Sequence, residues 1–249
     1  MELVSIITPT YNSEKYVEHT YESILSQTYQ NWEWVVTDDC SNDGTYNKLL
    51  EIANKDTRVK IFKNNKNSGA AITRNNSIKN AQGRFIAFID SDDLWLPRKL
   101  EKQIAFMNEH RIHFSFTAFK VMSEDGRSSG KHIDINKNGC FSYGDILRKK
   151  VTLGCSTVIL RRDANMDISM PLIRTGQDYA LWLSILKSGY LAHIYPETLT
   201  SYRIVANSIS RNKYKKALRQ WEIYRSIEKL SLIESAYYFV NYAFRAVFR

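Results

Sequence analysis

The stretch that decides the fold is Phe88-Ile89-Asp90-Ser91-Asp92-Asp93-Leu94-Trp95-Leu96-Pro97. An apolar run with the composition of a buried strand, residues 84–89, leads directly into three carboxylates within four positions. Like charges this close repel one another and aspartate is a poor strand former, so folding alone gives no reason for the cluster. A divalent cation does, because carboxylate oxygens suit Mg²⁺ or Mn²⁺, and these ions often share their shell with substrate phosphates. The stretch therefore predicts a site for a metal ion and a nucleotide diphosphate.

Strands and helices alternate through the first third of the chain, which indicates βαβ units and a mostly parallel α/β sheet. The predicted strands cover residues 3–8, 33–37, 59–63 and 84–89, and the predicted helices cover 13–27, 43–55 and 68–80, with Ser13 as the first N-cap. A polar loop follows each strand. Ligands of such sheets bind beyond the carboxyl ends of the strands, so four polar loops on one edge favour a nucleotide site.

The remainder of the chain is less regular. Its pattern predicts helices over 97–110 and 177–189, strands over 112–122, 156–160 and 191–202, and a mobile surface loop over 126–142. Residues 213–249 contain neither Gly nor Pro and are predicted to be mostly helical. We therefore expect one α/β domain over residues 1–210, followed by a basic, amphipathic helical tail over residues 211–249.

Composition narrows the class of protein. The 249 residues are 43% hydrophobic and carry a net charge of +9, as expected for a globular chain with a basic surface. The three cysteines have no paired spacing and the five histidines show no metal-ligand spacing, which argues against a disulfide framework or a zinc site. We expect neither a signal peptide nor a membrane-spanning helix, since no suitable apolar run occurs.

Five segments, in order along the chain, together resemble glycosyltransferase family 2 with the GT-A fold. They are Thr8 to Asn12, Asp38 to Thr45, Asn67 to Asn75, Phe88 to Pro97 and Gln177 to Tyr179. The resemblance implies a GT-A, Rossmann-like sheet flanked by helices, with a nucleotide-binding half at 1–95 and an acceptor-binding half at 96–210. It also implies inverting transfer of a hexose from a UDP-sugar (UDP-Gal, UDP-Glc or an N-acetyl form), assisted by Mn²⁺ or Mg²⁺.

The resemblance implies that residues at the ends of the first two predicted strands bind the nucleotide. Asp39 is expected to accept the N–H of the base, with Thr8, Pro9 and Tyr11 beside it. Small residues at the start of the 68–80 helix let a ligand approach the backbone, and Arg74 lies one turn further along. The alternatives are that Asp38 or Asp43 only caps a helix and that Arg74 is an ordinary surface residue.

Within the carboxylate cluster, the resemblance points to the DxD motif. Asp90 is expected to hold the ribose or share the metal, Ser91 to line the donor site, and Asp92 to bind the metal, while Asp93 starts the next helix. The alternative is that all three acids are turn and cap residues. The segment from Tyr202 to Val205, with Ser208 and Ser210, resembles the family's donor-side loop. Many members have a histidine where this chain has Val205, so Arg203 is expected to bind the diphosphate alone or with one of these serines.

Asp178 matches the general base of the family, which deprotonates the acceptor hydroxyl. The base usually follows a glutamate, but Gln177 occupies that position here, so no neighbouring carboxylate assists it. The alternative is that Asp178 is the N-cap of a helix over 178–188. Trp182 is predicted to be a core residue rather than a platform for the acceptor.

The aromatic and basic stretch 237–249 predicts a helix lying on a membrane surface, although packing on the domain or on a second subunit remains open. The resemblance leans toward bacterial enzymes that extend a polyprenyl-diphosphate-linked saccharide for O-antigen or capsule. That implies a cytoplasmic protein bound peripherally to the inner face of the plasma membrane, with no role for nucleic acid and with oligomerisation possible.

Two other classes of protein fit the sequence less well. A sugar-nucleotide pyrophosphorylase needs a Gly-rich loop with Arg and Lys after the first strand, where this chain has Pro9-Thr10-Tyr11-Asn12. A non-catalytic scaffold that binds sugar nucleotides or membranes has no need for both Asp92 and Asp178.

Overall fold

A computed structural model describes residues 1–205 and 213–247. The strands are β1 (Val4–Thr10), β2 (Trp32–Asp38), β3 (Val59–Lys63), β4 (Phe85–Phe88), β5 (Leu94–Trp95), β6 (Phe114–Met122), β7 (Ser128–Ile133), β8 (Cys140–Phe141), β9 (Ile159–Arg161) and β10 (Ala192–Arg203). The helices are α1 (Val17–Leu25), α2 (Thr45–Lys55), α3 (Ala70–Asn80), α4 (Lys99–Glu109), α5 (Tyr143–Leu147), α6 (Gln177–Lys187), α7 (Lys213–Glu222) and α8 (Leu232–Val247). A 3-10 turn at Cys155–Thr157 and a π-helical turn at Ile223–Ile227 complete the described elements.

The strands form one mixed sheet in the order β3-β2-β1-β4-β9-β6-β10-β5. Strands β1 to β4 are parallel, β9 pairs antiparallel with both β4 and β6, and β10 runs parallel to β6. Thr10 pairs with Asp38, so β1 and β2 end side by side and their following loops share one edge. The predicted mostly parallel α/β sheet flanked by helices is confirmed.

Alternating side chains of the central strands fill two cores, one on each face of the sheet. Ile86 and Phe88 of β4 face one core, and Phe85 and Ala87 face the other. Phe88 meets Trp182 of α6 edge-to-face at 5.3 Å, and Trp182 is completely buried, as predicted. The first core also contains Ile223 and Tyr224, so the tail contributes to the same core as the sheet.

Two predictions from sequence were wrong in the second half. The segment 126–142, predicted as a mobile loop, contains β7, which pairs with β6, and β8, which pairs with β10. Strand β7 is exposed on nearly all positions, so it lacks the apolar alternation that marks a half-buried strand. The predicted strand over 156–160 begins later, because the 3-10 turn occupies its first residues.

Two predicted helix starts were also wrong. Helix α1 begins at Val17, and the carbonyl of Ser13 accepts hydrogen bonds from the Tyr16 and Val17 amides instead of its side chain capping the helix. Asp93 does not start a helix, since β5 follows it and α4 begins six residues later at Lys99.

The tail contains two separate helices, α7 and α8. Lys229, with φ of +54°, lies in the break between the π-helical turn and α8. Helix α8 packs on the first core through Tyr238 and Phe239, and Phe239 contacts Trp221 edge-to-face at 5.5 Å. In the parts of the chain that the structure describes, no helix combines the length and the apolar character needed to cross a bilayer.

Candidate active site

Asp39, directly after β2, organises the loop that precedes α3. Its Oδ1 accepts hydrogen bonds from the Ser68 amide at 2.8 Å and from Asn64 Nδ2 at 2.7 Å, and its Oδ2 accepts one from the Gly69 amide at 2.8 Å. Gly69 has φ of +84°, a conformation that favours glycine. The carboxylate thus holds the start of α3 against the edge where β1 and β2 end, with its own exposure reduced to 3%.

The three residues predicted to lie beside the nucleotide base differ in their exposure to solvent. Tyr11 is 46% exposed at the edge of the sheet, and Pro9 is partly buried in β1. Thr8 is completely buried, and its hydroxyl accepts a hydrogen bond from Trp34 Nε1 at 2.8 Å. The structure therefore places Tyr11 at the surface and the Thr8 side chain inside the protein.

The carboxylate loop after β4, residues 90–93, is held by contacts with several other segments. Ser91 Oγ lies 2.7 Å from Ser13 Oγ, and the Ser91 carbonyl accepts a hydrogen bond from Thr20 of α1 at 3.0 Å. The Asp90 carboxylate pairs with the guanidinium of Arg74, which is only 6% exposed. Arg74 is therefore a buried partner of the cluster and not an ordinary surface residue.

Asp92 and Asp93 have different surroundings. Burial and the neighbouring Asp90 carboxylate raise the pKa of Asp92 to about 6. Asp93 is completely buried, and it accepts hydrogen bonds from Ser156 Oγ at 2.5 Å and from the Arg203 amide at 2.8 Å. Burial, with the charges of Asp92 and Asp90, raises the pKa of Asp93 well above the ordinary carboxyl value. Asp93 therefore links three segments of the site.

The donor set of this loop fits a divalent ion that is shared with a substrate. Asp90 and Asp92 offer carboxylate oxygens, and Mg²⁺ in proteins is commonly held by one or two carboxylates plus substrate phosphates. Among the described residues no group of three His, Cys, Asp or Glu side chains is arranged to hold a metal alone. A metal ion held by these two carboxylates would take its other ligands from a substrate phosphate or from water.

Arg203, at the end of β10, is 5% exposed and fixed by backbone acceptors. Its Nε donates to the Asp92 carbonyl at 2.7 Å and its Nη1 to the Glu124 carbonyl at 2.8 Å. The guanidinium carbon also lies 5.1 Å from the centre of the Tyr16 ring. Arg203 therefore adjoins the carboxylate loop, whereas Ser208 and Ser210 lie outside the described residues.

Asp178 lies in the first turn of α6, where the helix dipole favours a carboxylate. The N-cap of α6 is Gly176, in the left-handed conformation, so the N-cap interpretation of Asp178 was wrong. Burial opposes the charge on Arg74, but Cys155, Asp90 and Asp178 raise the pKa of its guanidinium above the ordinary value. Arg74 thus pairs with Asp90 and lies within electrostatic range of Asp178.

Sequence reasoning missed Ser156 and Cys155. The Ser156 hydroxyl accepts a hydrogen bond from the Asp90 amide at 3.0 Å while it donates to Asp93, so it fixes both ends of the carboxylate loop. Burial raises the pKa of the Cys155 thiol well above its usual value, with Arg74 opposing. The motif pattern gave no signal for either residue.

Comparison with known proteins identifies the family of the chain. The model of the family described as Glycosyl transferase family 2 matches residues 5–168. The chain belongs to glycosyltransferase family 2, and it is a glycosyltransferase. It is 45% identical over 245 residues to TuaG of Bacillus subtilis (strain 168), named for teichuronic acid biosynthesis, covering 98% of this chain and 96% of TuaG.

A second relative is WfgD of Escherichia coli, named UDP-Glc:alpha-D-GlcNAc-diphosphoundecaprenol beta-1,3-glucosyltransferase. The two are 40% identical over 241 residues, covering 96% of this chain and 92% of WfgD. Among solved structures, S. aureus TarS 1-349 in complex with UDP-GlcNAc superimposes with a TM-score of 0.74 at 24% identity, covering 90% of this chain and 65% of that one. The likeness to TarS confirms the predicted GT-A fold.

Proposed function

We propose that the protein is an inverting, metal-dependent enzyme that moves a hexose from a UDP-sugar to a saccharide linked to polyprenyl diphosphate. One observation carries the proposal: buried Arg74 pairs with Asp90 of the DxD loop, and the charge of Asp178 of α6 is close enough to act on the same guanidinium. A site for the leaving diphosphate and a site for the incoming hydroxyl therefore adjoin each other. Residues 1–95 would hold the donor and residues 96–210 the acceptor, with 211–249 as the tail.

Asp178 acts as the general base. As the acceptor oxygen attacks the anomeric carbon, the hydroxyl proton passes to the Asp178 carboxylate and the bond from that carbon to the UDP oxygen breaks. Attack from the face opposite the leaving group inverts the configuration. Arg74, charged and buried, pairs with Asp90 and keeps the carboxylate loop in place beside this reaction.

Asp90 and Asp92 would hold Mn²⁺ or Mg²⁺, which when bound neutralises the charge that develops on UDP. Asp39, Pro9, Tyr11, Ser91 and the backbone at Thr8 form the proposed nucleotide site. Arg203 keeps the Asp92 backbone in place through its Nε and adds positive charge near the diphosphate.

The acceptor and donor classes are supported by the relatives. WfgD is named as taking UDP-glucose to a GlcNAc attached to diphosphoundecaprenol, and TuaG is named for a cell-wall polymer. We therefore propose a role in bacterial cell-surface polysaccharide synthesis, such as O-antigen or capsule. The lipid acceptor implies a location at the inner face of the plasma membrane.

The Asp178→Asn variant tests the base. We expect transfer to fall by about 10²–10⁴-fold, because the acceptor hydroxyl loses its proton acceptor, while UDP affinity is unchanged. Transfer is measured with the purified protein, Mn²⁺, a panel of UDP- and GDP-sugars and a lipid-diphosphate sugar. Asp167→Asn, at an exposed aspartate, is the matched control. Loss of UDP binding in Asp178→Asn would instead assign Asp178 to the donor site.

A further inference from the structure

Three cations lie close to one another where the segment after α5 meets the tail: Lys149 of that segment, and Lys216 and Arg219 of α7. Lys149 has φ of +54°, and its ammonium is 4.3 Å from the centre of the Tyr242 ring. The adjacent Arg148 and Lys150 both pair with Asp145, at 3.1 and 2.6 Å. Lys149 instead lies near Lys216 and Arg219 of α7, close enough for their charges to interact.

We call Lys149, Lys216 and Arg219 the cationic cluster, and none of the three has a counter-ion among the described residues. In the described ranges 1–205 and 213–247, none of them forms an ion pair within 4.0 Å. Burial and the charges of Lys216 and Arg219 lower the pKa of Lys149 to about 8, and burial and Arg219 lower that of Lys216. The Nε of Arg219 is buried without a hydrogen-bond partner among the described residues. A bound anion would relieve both the repulsion and the unpaired donor.

The cationic cluster adjoins the start of α6, where the proposed base lies. A Cβ atom on Gly176 would lie 3.1 Å from Arg219 Cδ and 3.3 Å from Arg219 Nε. Asp178 is two residues further along the chain. An anion on the cluster and a hydroxyl beside Asp178 could therefore belong to one acceptor molecule.

We propose that Lys149, Lys216 and Arg219 bind the diphosphate that joins the acceptor sugar to its lipid. This inference rests on the proposed function. Lysine ammonium groups and an arginine fork are suited to diphosphate oxygens. Phospholipid headgroups also carry phosphate, but the half-buried position of the cluster beside α6 favours the acceptor, which must reach Asp178 to react.

The test compares two acceptors that carry the same sugar, one on a short lipid diphosphate in detergent and one on an uncharged alkyl chain. In Lys149→Met and in Lys216→Met we expect KM for the diphosphate acceptor to rise by about tenfold or more, since a charge-assisted hydrogen bond is lost. KM for the uncharged glycoside and the affinity for UDP are expected to stay unchanged. Lys215→Met removes an exposed charge from the same helix and controls for net charge.

Equal effects on both acceptors, or no effect on either, would overturn the assignment. So would an unchanged KM in detergent combined with weaker binding of the variants to phosphatidylglycerol vesicles, because the cluster would then bind phospholipid headgroups. If the proposed function itself were wrong, the unmodified protein would transfer sugar to neither acceptor, which distinguishes that outcome from a wrong assignment of the cluster.

Discussion

Lys99 is a completely buried lysine at the start of α4. Its ammonium donates to Gln103 Oε1 at 2.5 Å and to the Thr157 carbonyl at 3.3 Å, and it lies 4.9 Å from the centre of the Trp95 ring. Burial lowers the pKa of Lys99 to about 7. In the unfolded chain the pKa of this lysine has its ordinary value, about 10.4. Between pH 7 and about pH 10 the unfolded state therefore binds more protons at Lys99 than the folded state does.

The free energy of unfolding should therefore rise with pH across that window because of Lys99. We expect the stability of the protein relative to Lys99→Met to increase between pH 7 and 10, by at most about 1.4 kcal/mol per pH unit. Urea unfolding at several pH values measures it. The exposed Lys15→Met is the control and should run parallel to the unmodified protein. A constant difference between the protein and Lys99→Met would contradict the prediction.

Residues within a family motif could be proposed from sequence, and a residue outside every motif could not. Asp90 and Asp92 stood out because clustered carboxylates after a buried strand repel one another unless a cation is present, whereas Asp178 stood out through the family resemblance. Ser156 gave no comparable signal, since its partners Asp93 and Asp90 are 63 and 66 residues away in the chain. The same distant contacts explain why Asp93 was misread as a helix start.

The connection from α3 to β4 depends on a close approach between two backbones. A Cβ atom added to Gly83 would lie 2.5 Å from the Ser5 amide nitrogen and 2.8 Å from the Leu3 carbonyl oxygen of the β1 region. Backbone atoms of a central strand cannot move aside as a flexible side chain can. This glycine is thus required by packing rather than by its torsion angles.

We expect Gly83→Ala to lower the free energy of unfolding by about 1–3 kcal/mol, because β1 and the residues before β4 must separate. Gly154→Ala is the matched control, since its Cβ atom would have no contact closer than 3.5 Å and its φ is −67°. Denaturant unfolding measures both variants. Equal stability of the two would show that β1 and Gly83 are less closely packed than the structure indicates.

Strands and helices were predictable to the extent that one of their faces is buried. Strands β1 to β4 carry clear apolar runs and were placed within a few residues. Strand β7 was missed because it is an exposed edge strand, paired with β6, whose residues show no apolar alternation. The break near Lys229 was missed because no Gly or Pro marks it.

One face of α8 is apolar and largely exposed. The exposed fractions are 83% for Ile233, 53% for Tyr237, 66% for Val240 and 63% for Phe244, and their spacing places them on one side of the helix. The opposite side packs on the first core. Both the membrane and the packing interpretations of the tail can therefore hold for different faces of the same helix.

We expect Val240→Asp and Phe244→Asp to weaken binding to phosphatidylglycerol vesicles by about tenfold or more, since each removes a side chain that would enter the lipid. Vesicle sedimentation measures the binding. Leu50→Asp, which changes an exposed leucine of α2, is the control for added charge. Binding that is equal in all three variants would rule out this face of α8 as the membrane contact.

The contribution of the tail to the core has a consequence for synthesis on the ribosome. Tyr224 is completely buried, and its hydroxyl donates to the Leu147 carbonyl at 2.6 Å. The nascent chain can begin to pair β1 to β4 early, because domains generally fold from the N-terminus as they emerge. It cannot close the core on this face of the sheet until residue 224 has left the exit tunnel. During that interval apolar side chains around Leu147 stay uncovered, so chaperones would have their longest access to the nascent chain just before the tail arrives.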